Sequence, residues 1–534
     1  MRPCTPSNSR ARHPRSQRSD PSAGVRRARY LSQMRALSLS VPAAALLTLL
    51  ATGSSTLAAQ QRPRTAVAAP SVSLDETAAR RRALAERLEN GVLIAFGGRA
   101  LVHDFSTFYQ LPSFRYLTEL NEPDHALVMV VKDKVPQSTV FLTPLDARTA
   151  FYYGQRTDSA SSMARTGMPA RSFAALAGVL DSLAGSGQVF WHIPDVETTD
   201  FSRLDTLTRG QETVKALTRA HPALTIRNAM PHVLAVRARK SATELALIRK
   251  AVEISAEGHR AAMLTANPQH EYELRAALEY EFTRRGAERP AYGSIVGGGY
   301  NGTTLHYMKD SDPVKPGDLV VMDAGAEYRG YAADITRTIP VSGRFTAEQR
   351  ALYQLVRDAQ AAAERNSKPG LSIRAAADSS VAVRVKGLAA LGLIESEDAQ
   401  YDPPWRVDCT ASPASCKQAN LWTIHGITHG IGLAVHDPLQ GDARRDGVFH
   451  EGDAFTIEPG IYVSTKALDV LPDTPRNRQF KAKVLAAVKR YENTGVRIED
   501  DYIITDKGLE RLSLVPREID EIEALMARRR AIQP

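Results

Sequence analysis

Only three cysteines stand in 534 residues, so the fold does not rest on disulfide staples, and a chain this long can bury a sizeable core without them. No apolar run is long enough for a comfortable membrane span. The nearest covers about Ala36 to Ala51, and Ser38, Ser40 and Pro42 interrupt it. A polytopic membrane protein is thereby excluded. A composition of 43% hydrophobic and 24% charged residues excludes wholesale disorder and a collagen-like fibre. Charge of one sign is also scarce in the body of the chain. Of the formal +9, residues 1–33 supply +7 through eight arginines against one aspartate, and Arg35 adds one more, which leaves +1 from Gln60 onward. A nearly neutral body carries no electrostatic footprint for nucleic acid. No internal repeat with a period of about 20–50 residues is present.

What is present begins with a leader. Residues 34–59 run from a short basic start at Arg35 through an apolar stretch to the small residues Leu57-Ala58-Ala59, the three-part plan of a secretory signal peptide. The expectation is an exported protein, periplasmic or extracellular, with no stable membrane span once the signal is cleaved; an uncleaved anchor is the alternative. Residues 1–33 are rich in Arg, Ser and Pro and cannot bury a core. The simplest reading is that translation starts at Met34. Cleavage near residue 59 would remove Cys4 and leave Cys409 and Cys416 in the turn-rich segment DCTASPASCKQ. An even pair in a loop of an exported protein suggests a disulfide.

Residues 60–75 read as a linker. From Thr77 a helical pattern precedes the strand-like runs VLIAFGG, ALVMVV and STVFLTP. Helical stretches around 171–185 and 201–220 flank the strand GQVFWHIP. Strands alternating with helices predict an α/β domain over 76–236. A second domain, 237–534, opens on the capping box Ser241/Glu244 and a helix carrying Leu245, Ile248 and Val252. Another helix is expected over about 270–286. The fold class is α/β in the first half and α+β in the second.

Chemistry concentrates in the second domain. DLVVMDAGAEYRGYAADITRT reads as strand, turn, strand. With Tyr328-Arg329 as a two-residue loop, Glu327 faces Gly330 and Asp323 falls opposite Asp334, with Cβ atoms roughly 4.5–5.5 Å apart. A buried pair of like charges is costly unless cations neutralise it. Two metals about 3.5–4 Å apart would satisfy both carboxylates. Further donors stand in HGITHGIGLAVHD (His425, His429, His436), in DAFTIEPGIYV (Glu458) and in GVRIEDDYIITD (Glu499). Each alone has a bland reading. An Asp beside a turn is a turn residue, a His in a Gly-rich loop fills a hydrogen-bonding gap, and Glu499 joins a charge patch with Arg497 and Asp500. Acidic residues recurring at the ends of apolar strands have few explanations other than metal. An oxygen-rich set favours a hard ion such as Mn2+.

These motifs match a known family. The second half resembles the pita-bread metallopeptidases, and within them aminopeptidase P. The resemblance implies five ligands in order: Asp323 of MDAG, Asp334 of ADITRT, His429 of HGITHG, Glu458 of IEPGIY and Glu499 of RIEDD. SIVGGGYNGTTLHY matches the segment that carries an active-site His, here His306, and VHD the one that carries His436. FRYLTELNEPDHALVMV and FYYGQR resemble the family's N-terminal domain, and EIEALM its C-terminal end, so the likeness spans about 76–530. It implies an N-terminal creatinase/aminopeptidase P-like α/β domain before a pita-bread catalytic domain. It also implies two divalent ions per subunit (Mn2+, with Zn2+ or Co2+ as alternatives), proline-containing peptides as substrates, and a homo-oligomer.

The implied roles follow residue by residue. Asp334 and Glu499 bridge the ions. Glu458 is both ligand and general base, and His306 and His436 stabilise the tetrahedral oxyanion. His425 shapes the pocket, Arg497 orients Glu499 or another carboxylate, and Arg444 or Arg445 meets the far end of the substrate. Tyr462 and Tyr307 are candidate walls for the proline ring, with core packing as the alternative for both. Two features depart from the family's pattern. Gly441 stands where a Tyr is usual, and an insert at 464–494 looks more like prolidase, the Xaa-Pro dipeptidase. The expected activity is hydrolysis of the N-terminal Xaa-Pro bond. The alternatives are a prolidase and, remotely, an inactive peptide-binding module.

Overall fold

A computed structural model describes residues 69–100, 107–195 and 208–529. The expected signal peptide at 34–59, the stretch before it, Cys4 and most of the linker lie outside the described residues.

The first domain is built on a six-stranded mixed sheet. Its order is Ala170–Ser172, Val135–Leu142, Ala126–Lys132, Gly91–Phe96, Val189–Ile193, Ile226–Asn228. The three strands Gly91–Phe96, Ala126–Lys132 and Val135–Leu142 run antiparallel, and the outer pairings are parallel. The run VLIAF is apolar without alternation because both of its faces are buried. Val92, Ile94 and Phe96 pack with Leu176, Leu180 and Leu217 from the helices Leu176–Gly185 and Arg209–Ala220. Leu93 and Ala95 point the other way, into a core shared with Leu84 and Leu88 beside the helix Leu74–Arg87. The helix expected near 201–220 is described from Arg209; its expected first turns lie outside the described residues.

The second domain begins with the helix Ala242–Leu264, whose capping box is closed in both directions between Ser241 and Glu244. The helices Glu271–Arg284, Ala347–Asn366 and Ile373–Ala390 follow. They cover two groups of antiparallel strands. In the first, Leu319–Asp323 lies between Ile295–Gly298 and Thr336–Pro340. In the second, Asp500–Thr505 pairs with Ala454–Ile457, and Gly460–Val463 pairs with Thr494–Arg497. A β-bridge between Thr336 and Glu499, with hydrogen bonds between Thr338 and Arg497, ties the two groups together. That bridge brings strand ends distant in sequence to one place.

The hairpin that carries the two aspartates turns later than the expected register. Arg329 and Gly330, both with positive φ, form the loop, Tyr328 pairs with Tyr331, and Glu327 pairs with Ala332. Asp323 therefore faces Thr336, not Asp334. A two-residue loop of this kind needs positive φ at both positions, which Gly330 adopts freely and Tyr328 would not. The slip is two residues, so Asp323 and Asp334 keep the same face of the ribbon and become diagonal neighbours. Gly325 permits the close crossing, since a Cβ there would lie 1.8 Å from the Ala333 carbonyl oxygen.

The insert forms the helices Thr465–Asp469 and Pro475–Arg490. Phe480, Val484 and Val488 bury its inner face in the main core, and Asp402 accepts hydrogen bonds from Thr474 and Arg476. Cys409 and Cys416 are joined, with Cα atoms 5.7 Å apart. No described helix is long and apolar enough to cross a membrane.

Candidate active site

The strand ends converge on a cavity of about 490 Å³. Asp323, Asp334, His429, Glu458 and Glu499 all line it, together with His306, His425, His436 and Arg497. His429 stands at its centre. Its Nε2 lies 3.5 Å from Asp334 Oδ2, 3.5 Å from Glu458 Oε1 and 3.7 Å from Glu499 Oε1. Asp334, His429 and Glu499 each present one ligand atom, all within 4.8 Å of one another. Asp323 approaches from the other side, where the Tyr292 hydroxyl lies between it and Asp334.

The carboxylates are held from behind. Arg497 donates to Asp323 Oδ2 at 2.6 Å, to the Tyr462 hydroxyl at 2.8 Å and to Thr336 Oγ1 at 3.2 Å. Thr336 in turn donates to Glu499 Oε2 at 2.8 Å. The backbone amide of Asp334 donates to the buried Asp501 carboxylate at 3.0 Å. The charge patch of Arg497, Glu499 and Asp500 considered above does not form. Asp500 points away into its own pairs with Arg337 at 2.6 Å and Arg517 at 2.8 Å, and these cations pull its pKa down to about 2 in spite of its burial.

Crowding leaves clear electrostatic marks. Burial, then the charges of Glu499, Asp323 and Asp501, hold the Asp334 carboxyl well above the usual range. Burial and Glu499 push Glu458 up to about 8. Burial works against a charge on His429, yet Glu499 and Glu458 outweigh it and raise that pKa to about 9. Burial, then Arg497 and Arg384, push His425 down to about 3; burial, then His429, push His436 down to about 4. Buried carboxylates this close cannot all ionise without added positive charge. Glu499 Oε1 adds a second sign, because it is buried with no hydrogen-bond partner among the described residues. Such an orphan is rare in a native fold. The donor set, four carboxylates and one imidazole, fits divalent cations.

Several expected residues fall elsewhere. Tyr462 does not wall the cavity. It is buried behind it, and its hydroxyl meets Arg497 and, at 2.8 Å, His425 Nε2. Tyr307 likewise turns away and donates to Glu271. Arg445 sits with positive φ at the end of the short helix Gln440–Arg444, exposed and off the cavity lining, and Arg444 reaches back to Gln440. Arg497 orients Asp323 directly, and it touches Glu499 only through Thr336. No residue of the 464–494 insert lines the cavity. Sequence reasoning missed Tyr292, Thr336 and Asp501. Of these, only Asp501, an acid followed by the apolar run of YII, carried a local signal.

Fold and site together define a metal-dependent hydrolase with an N-terminal α/β domain. Comparison with known proteins narrows this. The profile of metallopeptidase family M24 matches residues 246–506, and that of the aminopeptidase P N-terminal domain matches residues 77–191. The Xaa-Pro aminopeptidase of Haemophilus influenzae is 34% identical over 422 residues, covering 78% of this chain and 88% of the relative. That of Escherichia coli is 32% identical over 467 residues, covering 85% and 98%. Among solved structures, proline aminopeptidase P II from Yersinia pestis superposes with a TM-score of 0.71 at 32% identity, covering 85% of this chain and 100% of that one. Zinc-substituted E. coli aminopeptidase P in complex with product gives 0.70 at 30% identity, covering 86% and 100%. The chain belongs to the aminopeptidase P family of M24 metallopeptidases.

Proposed function

We propose that this chain is a metal-dependent Xaa-Pro aminopeptidase, releasing the first residue of peptides whose second residue is proline. The observation that carries the reading is His429 ringed by carboxylates, one of which keeps a buried oxygen without a hydrogen bond.

Asp323, Asp334, His429, Glu458 and Glu499 would hold two divalent ions, Mn2+ ahead of Zn2+ or Co2+, because an oxygen-rich set suits a hard ion. Bound there, the metal supplies a water of lowered pKa and a Lewis acid for the scissile carbonyl. Glu458 takes the proton of the attacking water and passes it to the proline nitrogen. His436, with its pKa pushed down by burial, is neutral, so its N–H donates to the developing oxyanion, with His306 beside it. His425 Nδ1 lies 3.4 Å from Glu458 Oε2 and steadies that carboxylate. Ile295, Leu305, Met308 and Val435 give the cavity apolar walls for the pyrrolidine ring. The X–Pro bond has no N–H, so a slot shaped for the ring, and not a hydrogen-bond acceptor, selects it.

The lining also argues against a dipeptidase. A prolidase reads a free carboxylate directly after proline. Among the described residues lining the cavity the one Arg or Lys is Arg497, and Asp323 and Tyr462 already engage it. We also propose that the protein is exported. The leader pattern supports this, and so does the bond between Cys409 and Cys416, which suits an oxidising compartment.

With added Mn2+, the protein is expected to release the first residue of an Xaa-Pro-Xaa tripeptide and to lose that activity on chelation. Cleavage of an Xaa-Pro dipeptide alone would make it a dipeptidase. No cleavage of either, with metal bound, would leave a peptide-binding module.

A further inference from the structure

Glu271 opens the helix Glu271–Arg284 and is 0% exposed. Its carboxylate accepts four hydrogen bonds. Oε1 takes the Gly298 amide at 2.8 Å and Asn301 Nδ2 at 2.9 Å; Oε2 takes the Tyr307 hydroxyl at 3.0 Å and the Asp312 amide at 2.9 Å. The Glu271 amide also donates to the Asp312 carbonyl at 3.1 Å. All four side-chain bonds come from one stretch, 298–312, and they grip both of its ends and its middle. Charge-assisted bonds are the strong class, and a carboxylate in the first turn of a helix is further favoured by the helix dipole.

That stretch carries His306 into the cavity. The His306 imidazole makes no hydrogen bond among the described residues, so its aim depends on its backbone more than on any polar partner. That backbone is held on both sides. The Leu305 carbonyl accepts from Arg497 Nη2 at 3.4 Å, and Tyr307 is tied to Glu271. Asn301 adds a cross-brace to Asp312 Oδ2 at 3.0 Å. A bland account, in which any buried carboxylate simply finds donors, does not explain why all four donors to it come from the segment bearing this histidine.

We propose that Glu271 is a positioning residue for the peptidase reaction, holding the 298–312 loop so that His306 meets the developing oxyanion. This rests on the oxyanion role proposed for His306. Displacing such a group by about 1 Å can cost on the order of a hundredfold in rate. None of the four groups that bind Glu271 belongs to the five ligand residues, so the loss is expected in kcat, with metal content measured alongside it.

The test is a double-mutant cycle on the Mn2+-loaded protein, reading kcat, KM and metal content on an Xaa-Pro-Xaa tripeptide. Glu271→Gln replaces an acceptor with a donor and is expected to lower kcat by about tenfold or more, with KM and metal content unchanged. Tyr307→Phe removes one of the four donors without disturbing the core. It is expected to lower kcat severalfold, and it carries the test alone if Glu271→Gln does not fold. In a His306→Ala background neither substitution is expected to lower kcat further. Equal losses with and without His306 would overturn the proposal, as would wild-type kcat in both Tyr307→Phe and Glu271→Gln. Wild-type kcat in His306→Ala alone would remove the histidine's role, and this proposal with it. Absence of cleavage by the unmodified protein would instead sink the peptidase reading itself.

Discussion

Replacing Arg497 with Met separates the structural part of the site from its metal. Arg497 is 3% exposed and donates to Asp323, Tyr462 and Thr336. Removing one partner of a buried ion pair costs about 3–5 kcal/mol, because the other charge is left uncompensated. Met fills much of the volume, so the loss is electrostatic. In the metal-free protein Asp323 then has no cation, and the full cost is expected. For a domain of this size, at about 2 °C per kcal/mol, the midpoint of unfolding falls by roughly 6–10 °C. With Mn2+ added, an ion held by Asp323 would replace much of the lost compensation, so the drop is expected to shrink to less than half. The assay is thermal unfolding of wild type, Arg497→Met and Arg497→Lys, each with chelator and with saturating Mn2+. Lys keeps the charge but loses the fork, so it falls between the other two in chelator. An equal drop with and without Mn2+ would refute the reasoning, since it would mean that Asp323 does not face the metal.

Other expectations follow from the same geometry. Glu458→Gln is expected to lower kcat by about a hundredfold or more with little change in KM, as steady-state kinetics would show. The raised pKa values of Asp334 and Glu458 set a pH dependence in the metal-free protein. A carboxyl whose folded pKa exceeds its unfolded value stabilises at low pH, and that contribution fades as pH rises from about 4.5 towards the folded value, here near 8 for Glu458. Thermal midpoints in chelator should therefore fall between pH 5 and pH 8, and Mn2+ binding at pH 7 should release protons, seen as a buffer-dependent heat in calorimetry. Asp500→Asn leaves Arg337 and Arg517 without their shared carboxylate, and is expected to cost about 3–5 kcal/mol in a denaturant titration while the surviving folded protein keeps its kcat.

Local pattern made much of this legible. The VLIAF and ALVMVV runs, the Ser241/Glu244 box and the long ordered motifs around Asp323, Asp334, His429, Glu458 and Glu499 state their elements in adjacent residues. A hydrophobic period or a motif needs no knowledge of what packs against it. The turn falls at 329–330, one residue later than alternation predicts, which slips the pairing by two, because pairing depends on which positions accept positive φ as much as on alternation. Tyr462 and Tyr307 lie near the site in sequence, but their hydroxyls are engaged behind it, by Arg497 and His425 and by Glu271, which no local pattern states.

The sequence by itself determined the fold class and the near-neutral body behind a basic N-terminal stretch, and its motifs, through their family resemblance, named the five residues that the cavity gathers. Their order and residue types carry that information, and the chemistry of carboxylates at the ends of apolar strands needs little else. Tertiary structure alone decided which cation serves which carboxylate. Arg497 reaches Asp323 across 174 residues, and Arg337 and Arg517 draw Asp500 away from its neighbour Glu499. The bridge between Thr336 and Glu499 likewise joins strands that no local pattern relates. Side chains that alternate along a strand point to opposite faces, so Glu499 and Asp500 enter different environments, and only the packed sheet fixes which one meets the cavity.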